Sequence, residues 1–457
     1  MGGFAARAAA RMGWPADAIA TDLSTLLRLA GPVVLSRLGI MAMGLTDALV
    51  VGRYSATQLS YHALGWAPTA VVVTVCVGLL SGVQVMTSRA VGEGRLHLAG
   101  AVLRRGLVYA LWIGGASTVL LALLGPAFLH AMGLGKDLAD GASRVLLVFS
   151  LSLAPYAVSV AATVWLEALS RPSPVMVMMW VANIVNLVID LLLVPGRFGL
   201  PAMGAMGGAC ATLGARTALA VVLLAYIALM RDARELGVFD KPAPDRAAEI
   251  EQRRVGYGAG ASSFFEVAAF SGMNIIAGWI NPLTVAAYAI VLNVAAIVFM
   301  VPLGLSTATS VMVGSAYGAR DLAGVNRAAA LGLAVCTAFG LVVALAIWPT
   351  ARLIAAGYTG NLPVIAMATG GVLLACLFFI PDCLQVVAAQ SLRARGEVWL
   401  PTATHLASYA LVMSPLAWLL AIPMHMGLPG ILWAIIIASL MSAGLLLARF
   451  WRLRRRL

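Results

Sequence analysis

Residues 70–92 read AVVVTVCVGLLSGVQVMTSRAVG, and residues 296–318 read AIVFMVPLGLSTATSVMVGSAYG. Val77-Gly78-Leu79 in the first stands where Leu303-Gly304-Leu305 stands in the second, and Ala90-Val91-Gly92 where Ala316-Tyr317-Gly318 does. The correspondence continues beyond these stretches: Gly52, Gly78, Gly92 and Gly106 match Gly278, Gly304, Gly318 and Gly332 at one constant offset. A gapless match of this extent marks an internal repeat. Both copies are apolar over about 20 residues, enough as a helix to cross roughly 30 Å of hydrocarbon.

Runs of the same kind recur on both sides. Twelve candidate spans fall at about 23–52, 60–90, 103–125, 142–169, 174–195, 205–230, 255–280, 283–317, 327–349, 361–392, 398–423 and 428–450. The chain of 457 residues is 62% hydrophobic and 11% charged, against roughly 25% charged in a soluble domain. Lipid is therefore the solvent for much of the surface. Alternating strands of about 10 residues, the mark of a membrane β-barrel, are missing. Turn chemistry separates the runs, as in Gly92-Glu93-Gly94, Arg171-Pro172-Ser173-Pro174, Asn281-Pro282 and Gly427-Leu428-Pro429-Gly430.

The one long polar segment, 231–254, holds Lys241-Pro242-Ala243-Pro244 and reads as a linker. The expected organisation is an N-terminal arm over 1–22, an N-lobe over 23–230, the linker, a C-lobe over 255–450 and a basic tail over 451–457. Six spans per half, an even number, start both halves on the same side of the membrane. The fold class is all-α integral membrane, with twelve transmembrane helices in two parallel six-helix repeat lobes. Substrate sites in such folds lie near the midplane between halves, with access alternating as one half rocks against the other.

The net charge of +12 invites a nucleic-acid reading, but its distribution excludes one. Basic residues sit between apolar runs and alternate heavy and light loops, the positive-inside pattern. The heavy set includes Arg89, Arg95, Arg104 and Arg105, then 231–254, then Arg393 and Arg395, and ends with Arg452, Arg454, Arg455 and Arg456. Both termini are expected in the cytoplasm, the protein multi-pass in a cell membrane, the bacterial inner membrane. The expected partners are the lipid bilayer and small substrates, with no nucleic acid and a monomeric chain.

The five cysteines all fall inside apolar runs without metal spacing, and the five histidines do not cluster. No P-loop, HExxH pair or GxSxG elbow is present in the sequence, so an enzyme is not expected. Energy for transport has to come from an ion gradient or from a separate partner. No cofactor is expected beyond Na+ or H+ as the coupling ion.

A charge in mid-membrane costs roughly 3 kcal/mol even on lenient scales, so it needs a partner or a function. Asp47, Asp190, Glu266 and Asp382 lie deep inside spans with no evident basic partner, while Arg37 and Arg216 are the basic residues read within spans. Acids without fixed counter-ions suit a site that takes up and releases a mobile cation. Helical spacing puts Ser36, Met43 and Asp47 on one face, and Asn183, Asn186 and Asp190 on one polar stripe. That stripe reads either as a helix–helix hydrogen-bond seam or as part of a proton relay with Asp47.

Glu266 follows Ser262-Ser263-Phe264-Phe265 and has Phe270 one turn on; a carboxylate with hydroxyls suits a hard cation. Asp382 follows Pro381, which frees the carbonyl of Leu377, and the two could coordinate sodium together. Glu266 and Asp382 are thus the Na+ candidates. Phe265, Phe270, Phe378 and Phe379 join Ser36 and Met43 as substrate-cavity candidates, because aromatic faces attract organic cations.

These residues resemble the multidrug and toxic compound extrusion (MATE) family, in its NorM-type branch, over roughly Leu26 to Phe450. The resemblance rests on Met43-Gly44-Leu45-Thr46-Asp47 with Val51-Gly52-Arg53, and on Asn186-Leu187-Val188-Ile189-Asp190 through Gly196-Arg197-Phe198-Gly199 to Gly207-Gly208-Ala209. Phe264-Phe265-Glu266-Val267, Val301-Pro302-Leu303-Gly304 and Gln385-Val386-Val387-Ala388-Ala389 complete it.

It implies cation-coupled export of lipophilic organic cations and drugs through two six-helix lobes around a V-shaped cavity. The family's first-span acid falls on Asp47, implicated in proton coupling, and its C-lobe cation-site acids fall on Glu266 and Asp382. The tyrosine often found near that site is Phe378 here, so the ring survives without its hydroxyl. Asn186 fits the first asparagine of the fifth-span motif, and Asp190 stands where some members carry a second. The nearest alternatives are a lipid-linked-oligosaccharide flippase of the same superfamily, which needs a broad basic cavity, and a membrane-embedded lipid-modifying enzyme, which needs clustered catalytic groups at one face.

Overall fold

The computed structural model describes residues 15–133, 135–241 and 245–456. Most of the N-terminal arm and Pro242-Ala243-Pro244 of the linker lie outside the described residues. Among the described residues every regular element is helical, and twelve helices are long and apolar enough to cross a bilayer. They are α1 (Ala16–Tyr54), α2 (Ala56–Gly92), α3 (Leu96–Ala131), α4 (Lys136–Ala168), α5 (Pro172–Leu193) and α6 (Ala205–Leu229). The second six are α7 (Arg246–Ile280), α8 (Pro282–Gly318), α9 (Leu322–Tyr358), α10 (Leu362–Ala394), α11 (Trp399–Ala421) and α12 (Leu428–Leu453).

Each coincides with a span read from hydropathy, and several run well past its apolar limits. Hydropathy registers only the lipid-crossing part, whereas backbone hydrogen bonding carries a helix on into water. Thus α1 opens at Ala16 with Asp17 in its first turn, and α7 opens at Arg246, inside the polar linker stretch, with Glu249 in its first turn. Acids there favour the helix dipole. Two helices are irregular: α4 breaks at Ser152, whose hydroxyl donates to the Phe149 carbonyl at 2.6 Å, and α11 carries a π-helical segment over Leu406–Met413.

The chain divides into two compact units. One is Leu35–Gly260, packed around Trp165, Leu80, Leu146 and Leu223, with the Trp165 indole donating to the Ala99 carbonyl at 2.8 Å. The other holds Ala261–Leu457 with the stretch ending at Val34, and its core gathers Tyr288, Phe378, Phe379, Tyr409 and Met413. The boundary falls inside α1 and α7 rather than in the polar segment between the halves. Large apolar side chains such as Trp112, Leu123 and Leu353 stay 72–75% exposed, as lipid-facing surface requires.

The repeat is visible in local geometry. The residues before α6 and α12, Gly204 and Gly427, share φ near +55° and ψ near −130°, a conformation only glycine adopts readily. The first is also fixed by Gln58, whose side-chain oxygen accepts from the Ala205 amide at 2.9 Å.

A second pair of glycines permits close helix crossings. A Cβ on Gly78 of α2 would lie 2.7 Å from the Gly260 Cα, and one on its repeat mate Gly304 of α8 would lie 3.0 Å from the Val34 backbone nitrogen. Val34 and Gly260 are related by the same offset as the two glycines. Gly78→Leu is expected to destabilise the protein by about 1–3 kcal/mol, as overpacking against backbone does. Gly115→Leu on α3, where nothing lies within 4 Å, should be neutral or slightly stabilising. Thermal unfolding of the two variants in detergent decides this; equal midpoints would refute the close-crossing argument.

Candidate cation-coupling site

In the unit Leu35–Gly260, α1, α2, α5 and α6 bring a polar cluster together around Asp47. Thr212 of α6 donates to Asp47 Oδ2 at 2.5 Å, and His62 of α2 places Nε2 3.9 Å from the same oxygen. Asp190 and Asn186 of α5 face Asp47 as well. Asp47, Asn186 and Asp190 are buried. Asp47 Oδ1 and both carboxylate oxygens of Asp190 are buried with no hydrogen-bond partner among the described residues. Asn183 does not join in: its amide donates back to the Met179 carbonyl at 2.9 Å, and the residue lies against Gly39.

The two basic residues read within spans are engaged in the same unit. Arg37 of α1 donates to both oxygens of Glu167 of α4, at 3.3 and 3.4 Å, with side chains 9% and 1% exposed. Glu167 is a buried acid that the reading of deep carboxylates passed over. Arg216 of α6 donates to the Ser152 hydroxyl at 2.8 Å and lies 4.6 Å over the Tyr156 ring, so the break in α4 holds a guanidinium.

In the other unit, Gln385 of α10 joins the two sodium candidates. Its amide nitrogen donates to Glu266 Oε1 of α7 at 3.3 Å and to Asp382 Oδ1 at 3.2 Å. Gln385 is buried, whereas both carboxylates keep partial exposure, which suits groups that exchange an ion. α10 runs through Pro381 as one continuous helix.

Arg393, counted in the sequence with the loop charges, lies buried near the end of α10 within electrostatic reach of Glu266. Tyr409, in the π-helical segment of α11, is buried within electrostatic reach of both Glu266 and Asp382, beside Ser439 and Ser442 of α12. π-Helical turns are rare and concentrate at functional sites. His405 stacks edge-on against Tyr409, centroids 5.5 Å apart, and faces Arg393.

The six substrate-cavity candidates separate. Phe265 and Phe270 stay half-buried, Phe265 stacked on Phe264 and Phe270 on Tyr409. Phe378 and Phe379 are 3% and 2% exposed and stack on each other inside the core, while Ser36 and Met43 are buried in the packing of their own unit. Aromatic residues one turn from an acid fill a helix interface as readily as a cavity wall, and in these positions the interface takes them.

The chain matches the MatE family over residues 32–192 and again over residues 259–419. It belongs to that family. The two matched segments are the two halves of the repeat, and membership makes this MatE protein a multi-pass membrane transporter rather than an enzyme. It is 63% identical over 445 residues to "Probable multidrug resistance protein NorM" of Caulobacter vibrioides, covering 96% of this chain and 94% of that protein. It is 32% identical over 459 residues to a protein of the same name from Bradyrhizobium diazoefficiens, covering 97% and 96%. The NorM-type assignment therefore stands. Among solved structures, a eukaryotic MATE transporter superposes with a TM-score of 0.86 at 20% identity, covering 95% of this chain and 96% of that one. A Vibrio cholerae MATE transporter does so with 0.86 at 17%, covering 96% and 98%. At such identities these structures speak for the fold.

The sequence held signals for some of the residues it did not reveal. Gln385 is three residues after Asp382, one turn along the same face. Glu167 lies inside the fourth apolar run, where any acid is costly. His62, Thr212 and Tyr409 carry no such mark, since polar uncharged groups are common in membrane helices.

Proposed function

We propose that this protein is an antiporter that exports lipophilic organic cations, several drugs among them, in exchange for Na+ or H+ by alternating access. The observation that carries the reading is the pair Glu266 and Asp382, half-buried in the membrane-spanning region and bridged by one amide. Two carboxylates with open coordination present oxygen ligands to a hard monovalent cation and attract a cationic drug when vacant. The Asp47–Asp190 pair supplies a second acidic centre, suited to a proton. The names of the NorM relatives support the drug-export part. The positive-inside asymmetry supports both termini on the cytoplasmic side of a bacterial inner membrane, with a monomer as the working unit.

Ethidium efflux from proteoliposomes under separately imposed sodium and proton gradients tests the proposal. Efflux driven by at least one inward gradient is the expected result. Transport of organic anions but not cations, or efflux indifferent to both gradients, would overturn it.

A further inference from the structure

The turn at Ser55 brings the end of α1 back against the start of α2. Across it His62 faces Asp47: Nε2 lies 3.9 Å from Asp47 Oδ2, and the histidine is 5% exposed. Among the described residues His62 Nε2 has no hydrogen-bond partner, and neither has Asp47 Oδ1. A buried polar atom left unpaired costs about 1–3 kcal/mol, so packing alone is a poor reason for a histidine at this place. Thr212 already donates to Asp47 Oδ2 at 2.5 Å, but a carboxylate oxygen carries two lone pairs and one remains.

The imidazole is held in place by rings and backbone. Phe149 of α4 stands edge-on to both His62 and Trp66, one turn apart on α2, with centroids 5.2 and 5.3 Å away. The bare backbone of Gly208 on α6 lies beside the reactive edge, where a Cβ would stand 3.6 Å from Nε2. The titratable groups around this edge come from each neighbouring helix. Asp47 on α1 acts on the imidazole directly. Asp190 on α5 and Arg216 on α6 lie within electrostatic reach of Asp47. On α4, Arg144 is exposed. On α2 itself, Tyr61 lies against Gly141 of α4.

We propose that His62 is the proton donor to Asp47, the group through which a proton from the outer side neutralises the carboxylate and frees a bound organic cation. The proposal rests on the antiport reading and deepens its proton half. The step is a single proton transfer. The Nε2–H bond of the imidazolium breaks, an O–H bond forms on Asp47 Oδ2, and both side chains become neutral as the cation leaves. The imidazole then regains a proton from water on the outer side, where the turn at Ser55 lies in the orientation proposed above. Closing the gap by about 1 Å brings donor and acceptor into hydrogen-bond range. Histidine suits the role because it is the side chain that ordinarily gains and loses its proton nearest to neutrality.

The test compares wild type, His62→Phe, His62→Gln and Asp47→Asn as full-length proteins. Ethidium turnover is measured in proteoliposomes under imposed proton or sodium gradients, with the pH of the outer-face compartment varied. Ethidium affinity and thermal unfolding are measured in detergent. Phenylalanine keeps a ring against Phe149 and carries no proton; glutamine keeps a polar edge and serves should the phenylalanine variant not fold. Wild-type turnover should climb as the outer-face compartment is acidified, and Asp47→Asn should mark the floor. In both His62 variants turnover at saturating ethidium should fall about a hundredfold, as loss of a positioned proton donor implies, and the climb with acid should vanish. Ethidium affinity should stay within about twofold, the mark of a group used in the step and not in binding.

A packing role would lower affinity, turnover and unfolding midpoint together at every pH, and that result would overturn the proposal. Wild-type turnover and pH dependence in either folded His62 variant would overturn it too. Wild-type efflux driven by sodium alone would remove the proton donor and leave cation antiport standing. Wild-type efflux indifferent to both gradients would remove the antiport reading itself.

Discussion

Asp47→Asn is expected to cut ethidium efflux by at least about tenfold, to the level of protein-free vesicles, while the protein is still made, inserted and folded. The substitution removes a charge and almost no volume. Thr212 donates to Asp47 Oδ2 at 2.5 Å, and the asparagine carbonyl can accept the same bond, so the cluster has no steric or hydrogen-bonding reason to collapse. What is lost is the ability to alternate between a charged state that attracts a cation and a neutral state that does not, a difference of several kcal/mol at low effective dielectric and so more than about tenfold in any step that depends on it. The side chain adjoins Asp190 and Asn186, so the variant also leaves Asp190 without the neighbouring carboxylate. The control is dye binding across pH at matched expression. Wild type should lose affinity as the solution is acidified, whereas Asp47→Asn should show a flatter profile. Unchanged efflux would remove Asp47 from the mechanism.

Glu167→Gln should be the most destabilising single substitution considered, at about 3–5 kcal/mol, because it strands a buried guanidinium. Arg37 and Glu167 are 9% and 1% exposed and meet at 3.3 Å, and breaking one side of such a pair costs far more than the pair contributes. The double variant Arg37→Met, Glu167→Met tests this, since replacing both partners by apolar groups is often neutral or stabilising. Thermal unfolding in detergent should place Glu167→Gln well below wild type and the double variant near it. Equal destabilisation by the single and double variants would mean that shape, not charge, is what the site requires.

The fold was legible because a bilayer punishes error so heavily. A helix crossing hydrocarbon must satisfy its own backbone, so twelve apolar runs could be read as twelve helices. The two matched segments of the family fall on the same repeat that the glycines of α2 and α8 announce. The deep acids were legible for the same reason. Their surroundings were not. Thr212 is 165 residues from Asp47, and Gln385 is 119 from Glu266; such neighbours are assigned by packing between helices, of which one sequence gives no sign. Arg393 escaped because it stands at the edge of an apolar run, where a basic residue ordinarily marks topology. Phe378 and Phe379 misled because an aromatic at helical spacing from an acid does not record which way its face turns.

The crossings at Gly78 and Gly304 bear on how such a chain arose. Gly78 packs against the leading part of α7, and Gly304 against the leading part of α1; each compact unit is thus completed by helical turns encoded in the opposite half of the gene. Exchange of an identical element between identical subunits is a common route to a two-fold dimer. If two such subunits were joined end to end by a polar connector, the exchanged element would remain exchanged, as it is here. Either half made alone today should be an incomplete fold, recovering its missing turns when the two halves are made in the same cell.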